Sequence, residues 1–394
     1  MGQLKKIKII SVTSKIISGS FGNSKYFGYA KNKLISLVEI KTNYKNIYSY
    51  GESLIGTYSP DLYVQNLNYI KIFFLGKTPN EGIKIIQQLQ NNKFFYYNGV
   101  LKSVLASIEI SLLNLIAISR NESLGKTLNR IYFNSKSREN NFVKVYSSAG
   151  SIKSNLNDIR NDLTKSKSIG FKHIKIRVDL SKNYKSKIEL IKKYNFDFAV
   201  DLIANTFERN RNLQNLKKFL NYMKNNKPLW IEEVVNVNDV DFFNKIKKNY
   251  KTIKFSYGEN FNSFFDFYNL TNYHRFDYIN VDISHTPISD LFKLINFIKK
   301  NKIKSKIIFH CWGGIVNLQT SLEIASLSNA NIEMVEIPMA DFSLNNKFIK
   351  NLKIDNSCID LNSLDRKNIN KYHESDLVKN KIGKLNKYEF KFKK

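Results

Sequence analysis

Phe198-Ala199-Val200-Asp201, Leu229-Trp230-Ile231-Glu232-Glu233 and Ile253-Lys254-Phe255-Ser256-Tyr257-Gly258-Glu259 are three short apolar runs that each end in a carboxylate. Asp201, Glu232 and Glu259 follow one another at intervals of 31 and 27 residues, about one strand and one returning helix each. As neighbouring parallel strands, the three runs would bring these carboxylates side by side at one rim of a sheet. Carboxylates that close repel one another unless a cation sits between them. An all-oxygen set suits a hard divalent ion, and magnesium is the natural candidate.

Working outward, the same texture runs from about residue 142 to residue 336. Short β-forming runs alternate with lysine-rich helical stretches at Val143–Tyr146, Ile174–Val178, Phe198–Asp201, Leu229–Glu232, Ile253–Tyr257, Tyr278–Asp282, Ile307–His310 and Ile332–Glu336. Eight β/α units in series predict a (β/α)8 TIM-type barrel over residues 140–340, with its chemistry at the C-terminal strand ends. Nearly every run ends in an ionisable residue. Period-2 alternation puts Lys175 and Arg177 on one inward face of the second run. Asp282, His310 and Glu336 close the sixth, seventh and eighth. A single strand-end charge is ordinarily a solvated or capping residue, but a whole rim of them is not accounted for that way.

Ahead of the barrel, residues 4–16 and 34–41 read as paired strands. Between them, the glycine-rich stretch Ser18–Gly28 is expected to form a lid over the barrel mouth. Tyr50-Gly51-Glu52 through Pro60 reads as turn-rich, and Val104–Ser119 as a helix with Leu105, Ile108, Leu112, Leu115 and Ile116 on one face. Residues 1–130 thus read as an α+β unit of their own, expected to be a capping domain, and 341–394 are expected to return to it.

The formal charge of +30 raises nucleic acid as a partner. The lysines, however, are spread along nearly the whole chain with many asparagines and isoleucines, so no nucleic-acid role is expected. Two cysteines, Cys311 and Cys358, make no disulfide framework and favour a reducing compartment. The start Met1-Gly2-Gln3-Leu4-Lys5-Lys6 shows no signal-peptide core, and Val104–Ile118, interrupted by Glu109, reads as too short to span a bilayer. A cytoplasmic protein without membrane association is expected.

At this point the chain resembles the enolase superfamily, in its mandelate racemase and muconate lactonizing enzyme branch, over nearly its full length. Val104–Leu128 is similar to the branch pattern A-x-x-x-I-E-x-A-L-W-D-x-x-x-K, and Gly170–Val178 to its G-F-x-x-x-K-x-K strand. Trp230-Ile231-Glu232-Glu233 and Gly258-Glu259-Asn260 resemble its metal-ligand strands. Val281-Asp282-Ile283 and His310-Cys311-Trp312-Gly313-Gly314 resemble the Asp–His pair of the mandelate racemase-like subgroup. The resemblance implies magnesium at Asp201, Glu232 and Glu259, with Glu233 outside the ligand set. It makes His310 the base that removes the proton α to a substrate carboxylate, and Asp282 the holder of its tautomer. Lys175 would then contact the substrate carboxylate and Glu336 would hydrogen-bond to it.

Three departures refine this. Arg177 stands where the family has a second lysine base, and a guanidinium is a clamp rather than a base. The family's D-x-N reads Asp201-Leu202-Ile203, and the proline after the paired glutamates is Val234. The expectation is a magnesium-dependent dehydratase of a sugar acid, an aldonate or aldarate, passing through a metal-stabilised enediolate. The alternatives are a racemase or epimerase of the same superfamily and, from another class, a basic nucleic-acid-binding protein. The enzyme is expected to be a homo-oligomer.

Overall fold

In the computed structural model the described residues are 6–20, 32–92, 99–150, 155–180, 184–203, 213–236, 238–339, 343–367 and 370. The chain begins with an antiparallel sheet of β1 (Ile9–Ser20), β2 (Asn32–Thr42) and β3 (Tyr48–Ser53), in that spatial order. Most of the stretch expected to form a lid, residues 21–28, lies outside the described residues; Ser18–Ser20 end β1. Tyr50-Gly51-Glu52, expected as a turn, is instead the middle of β3. The glycine serves close packing rather than a bend. A Cβ there would sit 1.7 Å from the Ser107 carbonyl oxygen on the helix that crosses the sheet.

Among the described residues, the helices that follow are α1 (Ile55–Tyr58), α2 (Pro60–Ile70), α3 (Pro79–Asn91), α4 (Gly99–Arg120) and α5 (Leu124–Phe133). The start of α3 is fixed by a reciprocal Thr78–Glu81 capping box with Pro79 in the first turn. At 22 residues, α4 is long and apolar enough to cross a membrane, longer than the sequence reading allowed, but 94% of its most apolar stretch is buried inside the protein. It is the helix on which the capping sheet and the barrel meet. Its Lys102 pairs with Asp290 at 2.6 Å, both side chains fully buried. Its Glu109 accepts hydrogen bonds from the Ser289 backbone and hydroxyl and from Tyr132.

Burial pushes the Glu109 carboxyl up to about 7, against the help of those donors. A raised folded pKa means stability that is present below the unfolded value and lost as pH rises through the folded one. Wild-type stability in urea is therefore expected to fall by about 3 kcal/mol between pH 4.5 and pH 7 from this group. Glu109→Gln should flatten that part of the profile. A wild-type profile already flat there would refute the assignment.

The barrel strands are β4 (Phe142–Ala149), β5 (His173–Arg177), β6 (Asp197–Asp201), β7 (Ile231–Glu232), β8 (Phe255–Tyr257), β9 (Tyr278–Val281), β10 (Lys306–Phe309) and β11 (Ile332–Pro338). Each pairs in parallel with the next, and β11 closes on β4, with Glu336 opposite Tyr146. The fold is a (β/α)8 barrel with an N-terminal capping domain, as the eight runs predicted. Helices α6 (Leu156–Ile169), α7 (Tyr184–Lys193), α8 (Leu213–Asn226), α9 (Val240–Asn249), α10 (Phe264–Asn269), α11 (Ile288–Lys300) and α12 (Ile315–Ala325) alternate with the strands. After β11, α13 (Ser343–Asn351) precedes the strands β12 (Ile354–Asp355) and β13 (Cys358–Asp360), the latter antiparallel to β4. Asn370 then donates to the Tyr48 carbonyl of β3.

Ala199, Trp230, Tyr278, Ile308 and Met334 form an apolar layer inside the barrel with Tyr146. Two residues further along lie Asp201, Glu232, Asn280, His310 and Glu336. Since side chains alternate with period two, the second set faces the same interior one layer higher. A polar ring stacked on an apolar floor is therefore dictated by spacing.

Candidate active site

Register explains why the carboxylates converge. Asp201 lies opposite Arg177 on one side and Glu232 on the other, and Glu232 lies opposite Ser256, three residues before Glu259. One oxygen from each of Asp201, Glu232 and Glu259 falls within 4.8 Å of the others. The backbone turns sharply behind the first two. Ile203 and Glu233 have φ of 48° and 54°, in the left-handed region that side chains disfavour. Ile203 N donates to Asp201 Oδ1 at 2.8 Å. Glu233 stands outside the triad and accepts from Asn260.

A divalent cation fits this donor set on two counts. Glu259 Oε2 is buried without a hydrogen-bond partner, although His310 Nε2 is 3.4 Å away. Burial raises the pKa of Asp201, and Glu232 beside it raises it further. Glu232 is likewise raised by burial, against Lys175, with Glu259 and Glu336 adding to the rise. A cation between these carboxylates would offset the burial and mutual repulsion that raise them.

Two cations stand behind the triad. Lys175 Nζ lies 3.0 Å from Glu232 Oε1 and 3.5 Å from Glu336 Oε1, and all three side chains are buried. Burial alone would lower the Lys175 pKa, but Glu232 and Glu336 outweigh it and raise it. Arg177 Nε is 3.4 Å from Asp201 Oδ2, and its guanidinium lies over the Trp312 ring. Asn280 Nδ2 and Trp230 Nε1 also donate to Glu232, at 2.8 and 3.2 Å.

On the far side of the ring, His310 Nδ1 is 2.7 Å from Asp282 Oδ2. The other Asp282 oxygen accepts from Ser284 N, Ser284 Oγ and Asn317 Nδ2. An aspartate so occupied stays ionised, and its pKa is lowered despite burial. Nδ1 therefore carries a proton toward Asp282, so that in the neutral imidazole Nε2 is the basic nitrogen, facing Glu259 and Glu336. Burial lowers the His310 pKa, but Glu259, Glu336 and Asp282 together lift it to about 9. Glu336 accepts from Cys311 N, and Lys175, His310 and Arg177 hold its carboxyl down to about 2 against burial.

The structure thus brings all eight named residues, Lys175, Arg177, Asp201, Glu232, Glu259, Asp282, His310 and Glu336, to one end of the barrel. Sequence reasoning passed over Asn280 and Asn317, and over Lys33 and Glu52 from the capping sheet. Asn280 was within reach, since it shares the inward face with Asp282. His274 is buried against Phe243 and Phe276. His285 is half-buried between Ser103 and Asn262, and His173 pairs with Asp197 at the opposite strand end.

Fold and site together define a barrel enzyme built to hold a divalent cation. A family model described as "Enolase C-terminal domain-like" matches residues 158–364, more than half of the chain, and the chain belongs to the enolase superfamily. No curated protein matches it by sequence. Among solved structures, it is similar to an enolase superfamily member from a Polaromonas species, at 14% identity and a TM-score of 0.75, covering 89% of this chain and 92% of that one. The 3,6-anhydro-D-galactonate cycloisomerase of Zobellia galactanivorans matches at 18% identity and 0.72, covering 90% and 94%. A racemase from Streptomyces coelicolor with bound magnesium matches at 15% and 0.70, covering 89% and 94%.

Proposed function

We propose that the protein is a magnesium-dependent dehydratase of a sugar acid, an aldonate or aldarate, working in the cytoplasm. The carrying observation is a single credible base among the described residues. His310 has its tautomer set by Asp282, whereas the corresponding position on the second strand is Arg177, whose pKa is raised by Asp201 in spite of burial. Asp201, Glu232 and Glu259 would hold the magnesium, which supplies positive charge to a substrate carboxylate as its α-proton becomes acidic.

The chain's own groups account for the rest. Lys175 and Arg177 face the developing negative charge with donors already in place. Glu336 Oε1 has the Lys175 ammonium 3.5 Å away but makes no hydrogen bond, so it suits a donor brought by the substrate, such as a sugar-acid hydroxyl. His310 must be neutral to act as a base, and Glu259 is the largest influence keeping it charged. A cation held by Glu259 would offset that charge and favour the neutral imidazole. His310 Nε2 takes the α-proton, the electron pair expels the β-hydroxyl, and the same nitrogen returns its proton to that oxygen, which departs as water. The enol left behind ketonises to a 2-keto-3-deoxy acid.

The free thiols of Cys311 and Cys358 suit a reducing compartment. The test is a panel of acid sugars incubated with protein and magnesium and assayed for 2-keto acid. Turnover that chelation stops is the expected result. Interconversion of α-epimers without 2-keto acid would overturn the reading in favour of an epimerase.

A further inference from the structure

The loops that carry the His–Asp pair are gripped from outside the barrel. Glu52, at the end of β3 and 1% exposed, accepts hydrogen bonds from the backbone of Gly314 and, at 3.1 Å, of Asn317. These are amides at the start of α12, which satisfy a carboxylate well. Asn317 in turn donates from its side chain to Asp282 Oδ1 at 3.1 Å and to Ser284 Oγ at 3.3 Å. Ser321 fixes the other end of that amide by donating to Asn317 Oδ1. Leu54 N, two residues past Glu52, donates to the Ser284 carbonyl. From β2, Lys33 Nζ lies 4.5 Å over the Trp312 ring and 3.5 Å from the Gly313 carbonyl.

The glycines at 313 and 314 make the grip possible. A Cβ on Gly313 would lie 2.3 Å from Glu52 Oε1, and one on Gly314 would lie 2.5 Å from Ile35 Cδ1.

We propose that Glu52 is a positioning residue for the base: it fixes Asn317, Asn317 fixes Asp282, and Asp282 fixes His310. The capping domain then contributes to proton abstraction without touching the reacting atoms. This rests on His310 being the base, and it adds a requirement that the barrel alone does not meet. Catalytic geometry is sensitive to such support, since a displacement of about 1 Å by a remote change can cost roughly 100-fold in rate.

The test is histidine-labelled nitrogen NMR on the full chain with magnesium present and no substrate, with the His310 signals assigned by their loss in His310→Asn. Glu52→Gln keeps the side chain's size but replaces one accepting oxygen with a donor. The expected result is a changed His310 Nδ1 signal, with loss or broadening of its downfield proton, in Glu52→Gln and in Asn317→Ala. An unchanged signal in folded Glu52→Gln overturns the proposal, and Asn317→Ala decides if Glu52→Gln does not fold. On any acid sugar that the wild type converts, kcat should fall about 100-fold with KM within about twofold. A wild type that converts none would defeat the dehydratase reading alone, because the spectroscopic result stands without substrate.

Discussion

Glu232→Gln is expected to bind magnesium at least about 100-fold more weakly than wild type in isothermal titration calorimetry, and to convert no substrate. Losing a group that merely supports a metal ligand costs about 10–100-fold in affinity, and Glu232 is both a ligand candidate and the centre of the support. It sits between Asp201 and Glu259 in the triad while accepting from Lys175, Asn280 and Trp230. The glutamine removes a charge from the cation site and presents an amide to donors that need an acceptor. Glu259→Gln should weaken binding too, by loss of charge, while leaving the Lys175 network intact. Wild-type affinity in both variants would show that the three carboxylates do not form one site.

That site was legible because a barrel strand is short, local and periodic. Ala199 and Asp201, Trp230 and Glu232, and Ile308 and His310 each present floor and rim two residues apart, so the face could be read from single strands. The register was then bounded by the β/α interval. Strand ends were less legible: the fifth run, read from Ile253, is a strand in the structure over Phe255–Tyr257. Within the capping domain, β3 was missed for a different reason. Gly51 looked like a turn signal, but what it accommodates is the backbone of α4, a contact between residues more than 50 positions apart. Local propensity cannot report such an approach. The error hid β3, and with it Glu52, whose carboxylate reaches Gly314 and Asn317. Lys33 escaped likewise, since a lysine on a capping strand is ordinarily solvated, whereas here burial lowers its pKa to about 8.

His310→Asn is expected to abolish both turnover and exchange of the substrate's α-proton with solvent deuterium. General-base assistance is worth about 10²–10⁴-fold in ordinary cases, and among the described residues no second base is placed to replace it. Lys175 is held protonated by Glu232 and Glu336, and Arg177 is a guanidinium paired with Asp201. Asparagine fills much of the space of the imidazole and accepts no proton, so magnesium binding should persist and separate this variant from Glu232→Gln. Asp282→Asn should be milder, because the imidazole remains but its tautomer is no longer imposed through Nδ1. Arg177→Lys tests the other face of the substrate. A lysine there is paired with the same Asp201 and stays protonated, so α-epimers should still not interconvert. Product analysis of the wild type in deuterium oxide is decisive. One-base elimination places deuterium at carbon 3 of the 2-keto acid when the enol ketonises in solvent, and recovered substrate retains its α-configuration. Recovered substrate with inverted α-configuration would mean that a second group removes or delivers protons opposite His310, and the single-base reading would fall.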